Sequence, residues 1–200
     1  MNTIYTILVV LVSVSAVNSQ ELKKIPIPTL FNTGVDNNKM TIADGETDPH
    51  YVLSISADPQ FSGPETKVVY SDGFPIGPWL YNDAVSKWIA PRADAGEWNS
   101  PGIYVYTLSF SLHGFKHETA EIRGFWVSDN NGADIMINGK STGFFTVYDA
   151  FRYGFSPFEI KEGFVNGINT ISFVVNNGEA PTGLRVMIEG KAVPIEFTGK

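Results

Sequence analysis

The 200-residue sequence contains no cysteine and no Asn-x-Ser/Thr acceptor site. The first absence excludes a disulfide framework and a lipid-anchored bacterial lipoprotein, and the second excludes N-glycosylation. If the chain is exported, its fold must therefore be stable without disulfide bonds. Hydrophobic residues make up 43% of the sequence, which is enough to fill the core of one domain of this size.

Basic residues are also scarce, with 14 Lys and Arg against 21 Asp and Glu and a net charge of -7. A surface with this balance repels the phosphates of nucleic acid and the headgroups of anionic membranes. We therefore expect neither nucleic acid nor a charged membrane surface as a partner.

Familiar catalytic signatures are missing, including G-x-S-x-G, H-E-x-x-H and the phosphate-binding loop. The three histidines are interpreted as a structural residue at a strand start, His50, and two solvated loop residues, His113 and His117. Glycosidases need two facing carboxylates, and Asp83 and Glu97 are available, but sequence does not place them opposite each other. The prediction is that the chain is not an enzyme.

An apolar run without charge spans residues 4–17. It is short for a membrane span, and the small residues Val17 and Ser19 fit a cleavage site, so residues 1–19 are predicted to be a signal peptide. Cleavage after Ala16 and a retained signal anchor are the alternatives. The prediction is a secreted, extracellular protein that does not insert in the membrane once the signal is removed.

The centre of the sequence shows the period of two that is typical of strands with one buried face. Residues 103–112 alternate aromatic or aliphatic side chains with smaller ones, and residues 120–127 and 133–138 continue the pattern up to the turn dipeptide Asn138-Gly139. The same alternation recurs at residues 51–56, 168–175 and 184–189. With four Asn-Gly dipeptides and no helical period, these strands predict an all-β, antiparallel two-sheet β-sandwich.

The sandwich is predicted to span residues 47–200. Residues 20–46 are predicted to form an N-terminal extended segment followed by an acidic loop, because Pro26 and Pro28 forbid a helix there.

Four motifs in this order resemble the galactose-binding-like jelly-roll family, which occurs in carbohydrate-binding modules and in sugar-binding domains attached to glycosidases. They are a tyrosine-rich strand at 104–110, a strand that ends in an Asp-Asn pair at 126–130, an I-x-I-N-G hairpin at 135–139 and a G-x-N-x-I strand at 167–171. The resemblance covers residues 47–190. It implies a jelly roll and sugar binding without specifying the sugar.

Jelly rolls of the resembled family often hold one structural Ca²⁺ near an acidic loop, and Ca²⁺ prefers carboxylate and amide oxygens. The matching loop here offers the candidate ligands Asp36, Asn38, Asp44 and Asp48. Gly45 would let the backbone turn around an ion. A solvated acidic turn is the alternative.

The longest irregular segment, residues 71–100, contains three of the four tryptophans. Sugar rings pack their C–H faces on aromatic surface, and planar polar groups pair with their hydroxyls. The candidate ligand-binding residues are Trp79, Tyr81, Asn82, Asp83, Arg92, Trp98, Arg152 and Tyr153. Trp88 and Trp126 lie in strand patterns and are predicted to be buried, whereas Trp79 and Trp98 are predicted to be at least partly exposed. The alternative is that the segment plugs one end of the core.

Two functions remain open on the sequence. The first is a secreted, non-catalytic, lectin-like module that binds a glycan or polysaccharide. The alternative is a structural or adhesive extracellular β-sandwich that binds other proteins or itself. A concave platform of exposed aromatic residues would favour the first, and a flat apolar patch would favour the second.

Overall fold

The computed structural model describes residues 23–196, so the predicted signal peptide lies outside the described residues. The strands in chain order are β1 (Ile25–Pro26), β2 (Tyr51–Ile55), β3 (Lys67–Val68), β4 (Ile89–Ala90), β5 (Gly102–Ser111), β6 (Phe115–Asp129), β7 (Asn131–Ile137), β8 (Lys140–Ser141), β9 (Ser156–Ile160), β10 (Ile168–Asn177) and β11 (Gly183–Pro194). A 3₁₀ turn covers Pro59–Phe61, and one short helix, α1, covers Ala150–Tyr153. Within residues 23–196, none of the helices has the length and apolar character needed to cross a membrane.

The strands form two antiparallel sheets. One, here called the β11 sheet, has the order β3-β4-β11-β6-β9, with β1 also paired to β11. The other, the β10 sheet, has the order β2-β5-β10-β7-β8. The predicted antiparallel two-sheet β-sandwich is confirmed.

The core between the sheets consists of the large apolar side chains that alternate along the strands with smaller or polar ones. Trp126 on β6 and Phe173 on β10 face each other with ring centroids 5.5 Å apart. Tyr104 and Tyr106 on β5 are also fully buried. Trp88 and Trp126 are both inaccessible to solvent, as predicted. Each of these large aromatic side chains removes a large apolar area from water when the chain folds.

The segment before the first long strand is part of the same structure. β1 pairs with β11, and Ile27 and Leu30 are buried in the core between the sheets. The Tyr51 hydroxyl donates a hydrogen bond of 2.9 Å to the carbonyl of Phe31. Residues 23–46 therefore cover one side of the sandwich.

Candidate functional site

The outer face of the β11 sheet is divided into a covered half and an open half. Along β6, Ile122 and Trp126 point into the core, so the alternate residues Arg123, Phe125 and Val127 point outward. Val127 is nevertheless fully buried, whereas Phe125 is 51% exposed. The irregular segment 71–100 and α1 cover the sheet up to Val127 and leave the rest open.

A second hydrophobic cluster, here called the cover cluster, fills the space between this segment and the sheet. Trp79 packs on Trp88 with ring centroids 4.3 Å apart, and its ring lies 6.5 Å from that of Phe151 in α1. Val127 of β6 belongs to the same cluster. Trp79 is only 1% exposed, so its predicted exposure is wrong, whereas Trp98 is 57% exposed and agrees with the prediction.

A buried carboxyl group lies under the cover cluster. The indole N–H of Trp79 donates a 2.7 Å hydrogen bond to Oδ2 of Asp129, which is 3% exposed. Its Oδ1 has no hydrogen-bond partner among the described residues. Burial raises the pKa of Asp129 to about 7; the Trp79 N–H opposes this rise, Asp149 adds to it and Arg152 opposes it.

Three other predicted ligand-binding residues hold together residues 71–100, here called the covering segment. Asn82 Oδ1 accepts the backbone N–H of Trp88 at 2.7 Å. Asp83 accepts backbone N–H groups from Val85 and Ser86 at 2.8 and 3.0 Å. Arg92 makes two 2.6 Å hydrogen bonds to Asp94. Each of these polar side chains already has hydrogen-bond partners within the segment, which explains its presence there without a ligand.

Arg185 is a structural residue that sequence reasoning missed. It points outward from β11 yet is 1% exposed, because the covering segment lies over it. Its Nε donates to Ser86 Oγ at 2.8 Å, its Nη1 donates to the Tyr81 carbonyl, and its Nη2 forms a close ion pair, without hydrogen-bond alignment, with Asp83 Oδ2 at 2.6 Å. Arg185 therefore anchors the covering segment to the sheet.

The remaining predicted residues are exposed. The amide of Leu80 donates to the carbonyl of Phe151 at 3.1 Å, which brings the part of the segment that carries Tyr81 beside α1 with Arg152 and Tyr153. Tyr81 is 71% exposed and Tyr153 is 78% exposed. These residues, together with Trp98, are the part of the predicted loop site that a ligand can reach.

A groove of about 880 Å³ lies on the open half of the β11 sheet. Its floor is a row of outward side chains on three paired strands, Met187, Phe125 and Pro157. The next row, two residues further along the strands, is charged and consists of Glu189, Arg123 and Glu159. Arg123 Nε donates to Glu189 Oε1 at 2.7 Å. Val85 of the covering segment also lines the groove, as do Asn32 and Phe144.

The three aspartates among the predicted Ca²⁺ ligands do not form a group that could hold a metal ion, and Asn38, the fourth predicted ligand, donates from Nδ2 to Asp36 Oδ2 at 3.4 Å. The Asp36 side chain accepts the backbone N–H groups of its own turn, from Asn38 and Met40, and these bonds lower its pKa. Asp44 forms a 2.7 Å ion pair with Lys87, which lowers the pKa of Asp44 although burial opposes the shift.

Asp48 is buried and accepts backbone N–H groups from Gly34, His50 and Tyr51 at 2.6 to 2.9 Å. Burial still raises the pKa of Asp48. Within residues 23–196, no three His, Cys, Asp or Glu side chains are grouped in a way that could hold a metal ion. Ca²⁺ binding stays a prediction, and a melting temperature that responds neither to Ca²⁺ nor to excess chelator would remove it.

No protein-family profile matches the sequence, and a search of curated proteins finds no match either. Similar solved structures include two carbohydrate-binding modules. One is the CBM35 from Paenibacillus barcinonensis, with 12% identity and a TM-score of 0.32, over 83% of this chain and 97% of that chain. Another is the CBM36-1 domain of a multidomain xylanase from the hindgut metagenome of Trinervitermes trinervoides, with 14% identity and a TM-score of 0.29, over 90% of this chain and all of that chain, 100%. At these TM-scores the likeness carries no information about ligand or binding site.

Proposed function

We propose that this chain is a secreted, non-catalytic carbohydrate-binding module and that a glycan binds in the groove on the open half of the β11 sheet. The observation that carries the proposal is Phe125, a phenylalanine that is 51% exposed on the floor of a concave groove. An aromatic face is exposed to water at the centre of the groove, and a ligand that covers this face makes binding more favourable.

The polar groups around Phe125 suit hydroxyl-rich ligands. Arg123 offers planar N–H donors, and Glu159 and Glu189 offer paired acceptor oxygens, so adjacent hydroxyls of a sugar can be bound in pairs. An apolar floor with a few convergent polar groups is the usual composition of a small-molecule site. The concave shape favours a sugar over a protein surface.

The exposed part of the predicted loop site, here called the loop end, is the second candidate surface for glycan. Tyr81, Trp98, Arg152 and Tyr153 are exposed and retain the aromatic faces and the guanidinium that the sequence prediction relied on. Trp79, Asn82, Asp83 and Arg92 are committed to the covering segment, so the surface is smaller than predicted.

Protein binding is the alternative function, and one observation favours it. The stretch between β8 and α1 leaves Phe145, Val147 and Tyr148 between 63% and 69% exposed. Three large apolar side chains so close in sequence form a surface that a protein partner, or a second copy of the chain, could cover. Concentration-dependent sedimentation that Phe145→Ala abolishes would support this function.

The groove is tested with Phe125→Ala and a glycan array on the mature protein. Covering a phenylalanine side chain contributes about 1.5–3 kcal/mol, so we expect affinity for the bound glycan to fall roughly 10- to 100-fold. The melting temperature should change little, because the ring is half exposed. Isothermal titration calorimetry measures the affinity of the natural chain and of Phe125→Ala for the same oligosaccharide.

Phe145→Ala is the matched control, since it removes another exposed phenylalanine, 69% against 51% for Phe125, that does not line the groove. Full binding by Phe125→Ala, with loss in Tyr81→Ala or Trp98→Ala, would move the site to the loop end. Binding that survives all of these variants would contradict both locations.

A further inference from the structure

The groove on the β11 sheet opens into a second depression. This neighbour has a volume of about 430 Å³ and shares Arg123, Glu159 and Glu189 with the groove. Beyond these three, its lining includes Lys191 and Glu121 on the next row of the same strands. The shared charged row is therefore the junction of two adjoining depressions.

The strand register gives the length of the combined trough. Phe125 lies on the floor of the groove, and Glu121 lies four residues earlier on β6, opposite Lys191 of β11. A rise of about 3.3 Å per residue separates the two rows by roughly 13 Å. A ligand that contacts both Phe125 and Lys191 must therefore be longer than one sugar ring.

Most of the charged side chains along this trough form ion pairs. Arg123 pairs with Glu189 at 2.6 Å, Lys24 with Glu121 at 2.5 Å, and Lys161 with Glu159 at 3.1 Å. An ionised group on the ligand would have to compete with one of these pairs everywhere except at Lys39 of the second depression, whose ammonium lies 5.6 Å from the Phe31 ring centroid. The net charge of -7 repels a polyanion as a whole. Paired groups still keep free N–H bonds and lone pairs for hydroxyls.

We infer that the ligand is the interior of an extended, uncharged polysaccharide chain that runs along the strands of the β11 sheet through both depressions. This inference rests on the proposed function, because it requires that the groove binds glycan. Lys191, whose side chain is 55% exposed, offers N–H donors to the sugar units that extend beyond the junction.

The test measures affinity against chain length. Cello-, xylo- and manno-oligosaccharides, from the disaccharide to the hexasaccharide, are titrated into the intact chain by calorimetry. For the series that binds, we expect affinity to rise by roughly tenfold or more with length. Borohydride treatment of the reducing end should leave the affinity for the hexasaccharide unchanged, because the protein binds an interior stretch of the chain.

The second depression is tested with Lys191→Ala. We expect this variant to weaken hexasaccharide binding roughly 3- to 10-fold, the loss of about one net hydrogen bond, and to leave disaccharide binding unchanged. Lys116→Ala is the matched control, since it removes a lysine on β6 that lines neither depression.

The outcomes separate the inference from the proposed function. Affinity that does not depend on length but is lost in Phe125→Ala would overturn the extended-chain inference and leave the groove as a glycan site. Binding of uronic acid oligosaccharides in preference to neutral ones would overturn the uncharged ligand. Binding of neutral oligosaccharides that Phe125→Ala leaves intact would overturn the proposed site itself.

Discussion

Replacement of Trp79 by alanine is expected to lower the free energy of unfolding by about 3–5 kcal/mol, the usual cost of truncating a large buried aromatic residue. Trp79 is 1% exposed and lies against Trp88 at 4.3 Å. The variant also removes the N–H donor to buried Asp129. A buried acceptor left without its partner lowers the free energy of unfolding by about a further 1–3 kcal/mol. Chemical denaturation at neutral pH measures the sum.

Trp98→Ala is the control for this experiment. Its side chain is 57% exposed, and exposed substitutions usually change stability by no more than about 0.5 kcal/mol. Lost sugar binding by Trp79→Ala with an unchanged melting temperature would contradict the buried position of Trp79 and restore it to the binding surface. Lost stability supports its role as the centre of the cover cluster.

The strands of the sandwich could be predicted because their cause is local. Alternation of apolar and polar side chains fixes which residues face the core, and Trp126 is buried where that alternation places it. The Asn138-Gly139 dipeptide closes the hairpin between β7 and β8, with φ of 50° and 78° at the two residues. These backbone angles are the ones that Asn and Gly tolerate best.

The burial of Trp79 could not be predicted, because its cause is not local. Its partner Asp129 lies 50 residues away, and the anchor of the covering segment, Arg185 with Tyr81, joins residues 104 apart. Pro78 beside Trp79 is typical of a surface loop, but the segment folds back over the outer face of a sheet. The second layer that it forms has no period that a sequence pattern could reveal.

The sequence contains one signal of the groove. Phe125 stands at an outward position of β6, two residues from Arg123, where the alternation calls for a polar side chain. An aromatic residue on the solvent face of a strand indicates that either another segment of the chain or a ligand covers it.

The acidic loop shows how a pattern in the sequence can have a structural cause instead of a ligand. Asp36 and Asp48 cap nearby backbone N–H groups, a common use of Asp in turns.

Asp129 is a buried residue whose ionisation should influence stability. Its pKa in the folded chain is raised from 3.8 to about 7, chiefly by burial. The folded state therefore binds the proton more tightly than the unfolded state, and the free energy of unfolding falls as the pH rises from about 4 to about 7. The full contribution is present below pH 4 and is lost above pH 7.

Asp129→Asn removes this titration while it keeps an oxygen that accepts the N–H of Trp79. We expect the variant to gain stability relative to the natural chain as the pH rises through this window, on the order of 4 kcal/mol by pH 8. Asp149 and Arg152, the charged groups near Asp129, are present in both chains. Carboxylates with lowered pKa values, such as Asp94, destabilise both chains equally in acid, so their effect cancels in the difference.

Denaturant unfolding of both chains at a series of pH values between 4 and 8 measures that difference. Asp72→Asn, at an exposed position, is the control for the loss of one carboxylate from the chain. If the Asp129→Asn difference does not vary with pH, the buried carboxyl group titrates at an ordinary pKa and must have a partner for its Oδ1. If the difference follows the expected curve, the cover cluster holds a neutral carboxyl group at mildly acidic pH, and its Trp79 hydrogen bond acquires a charged acceptor only as the protein approaches neutrality.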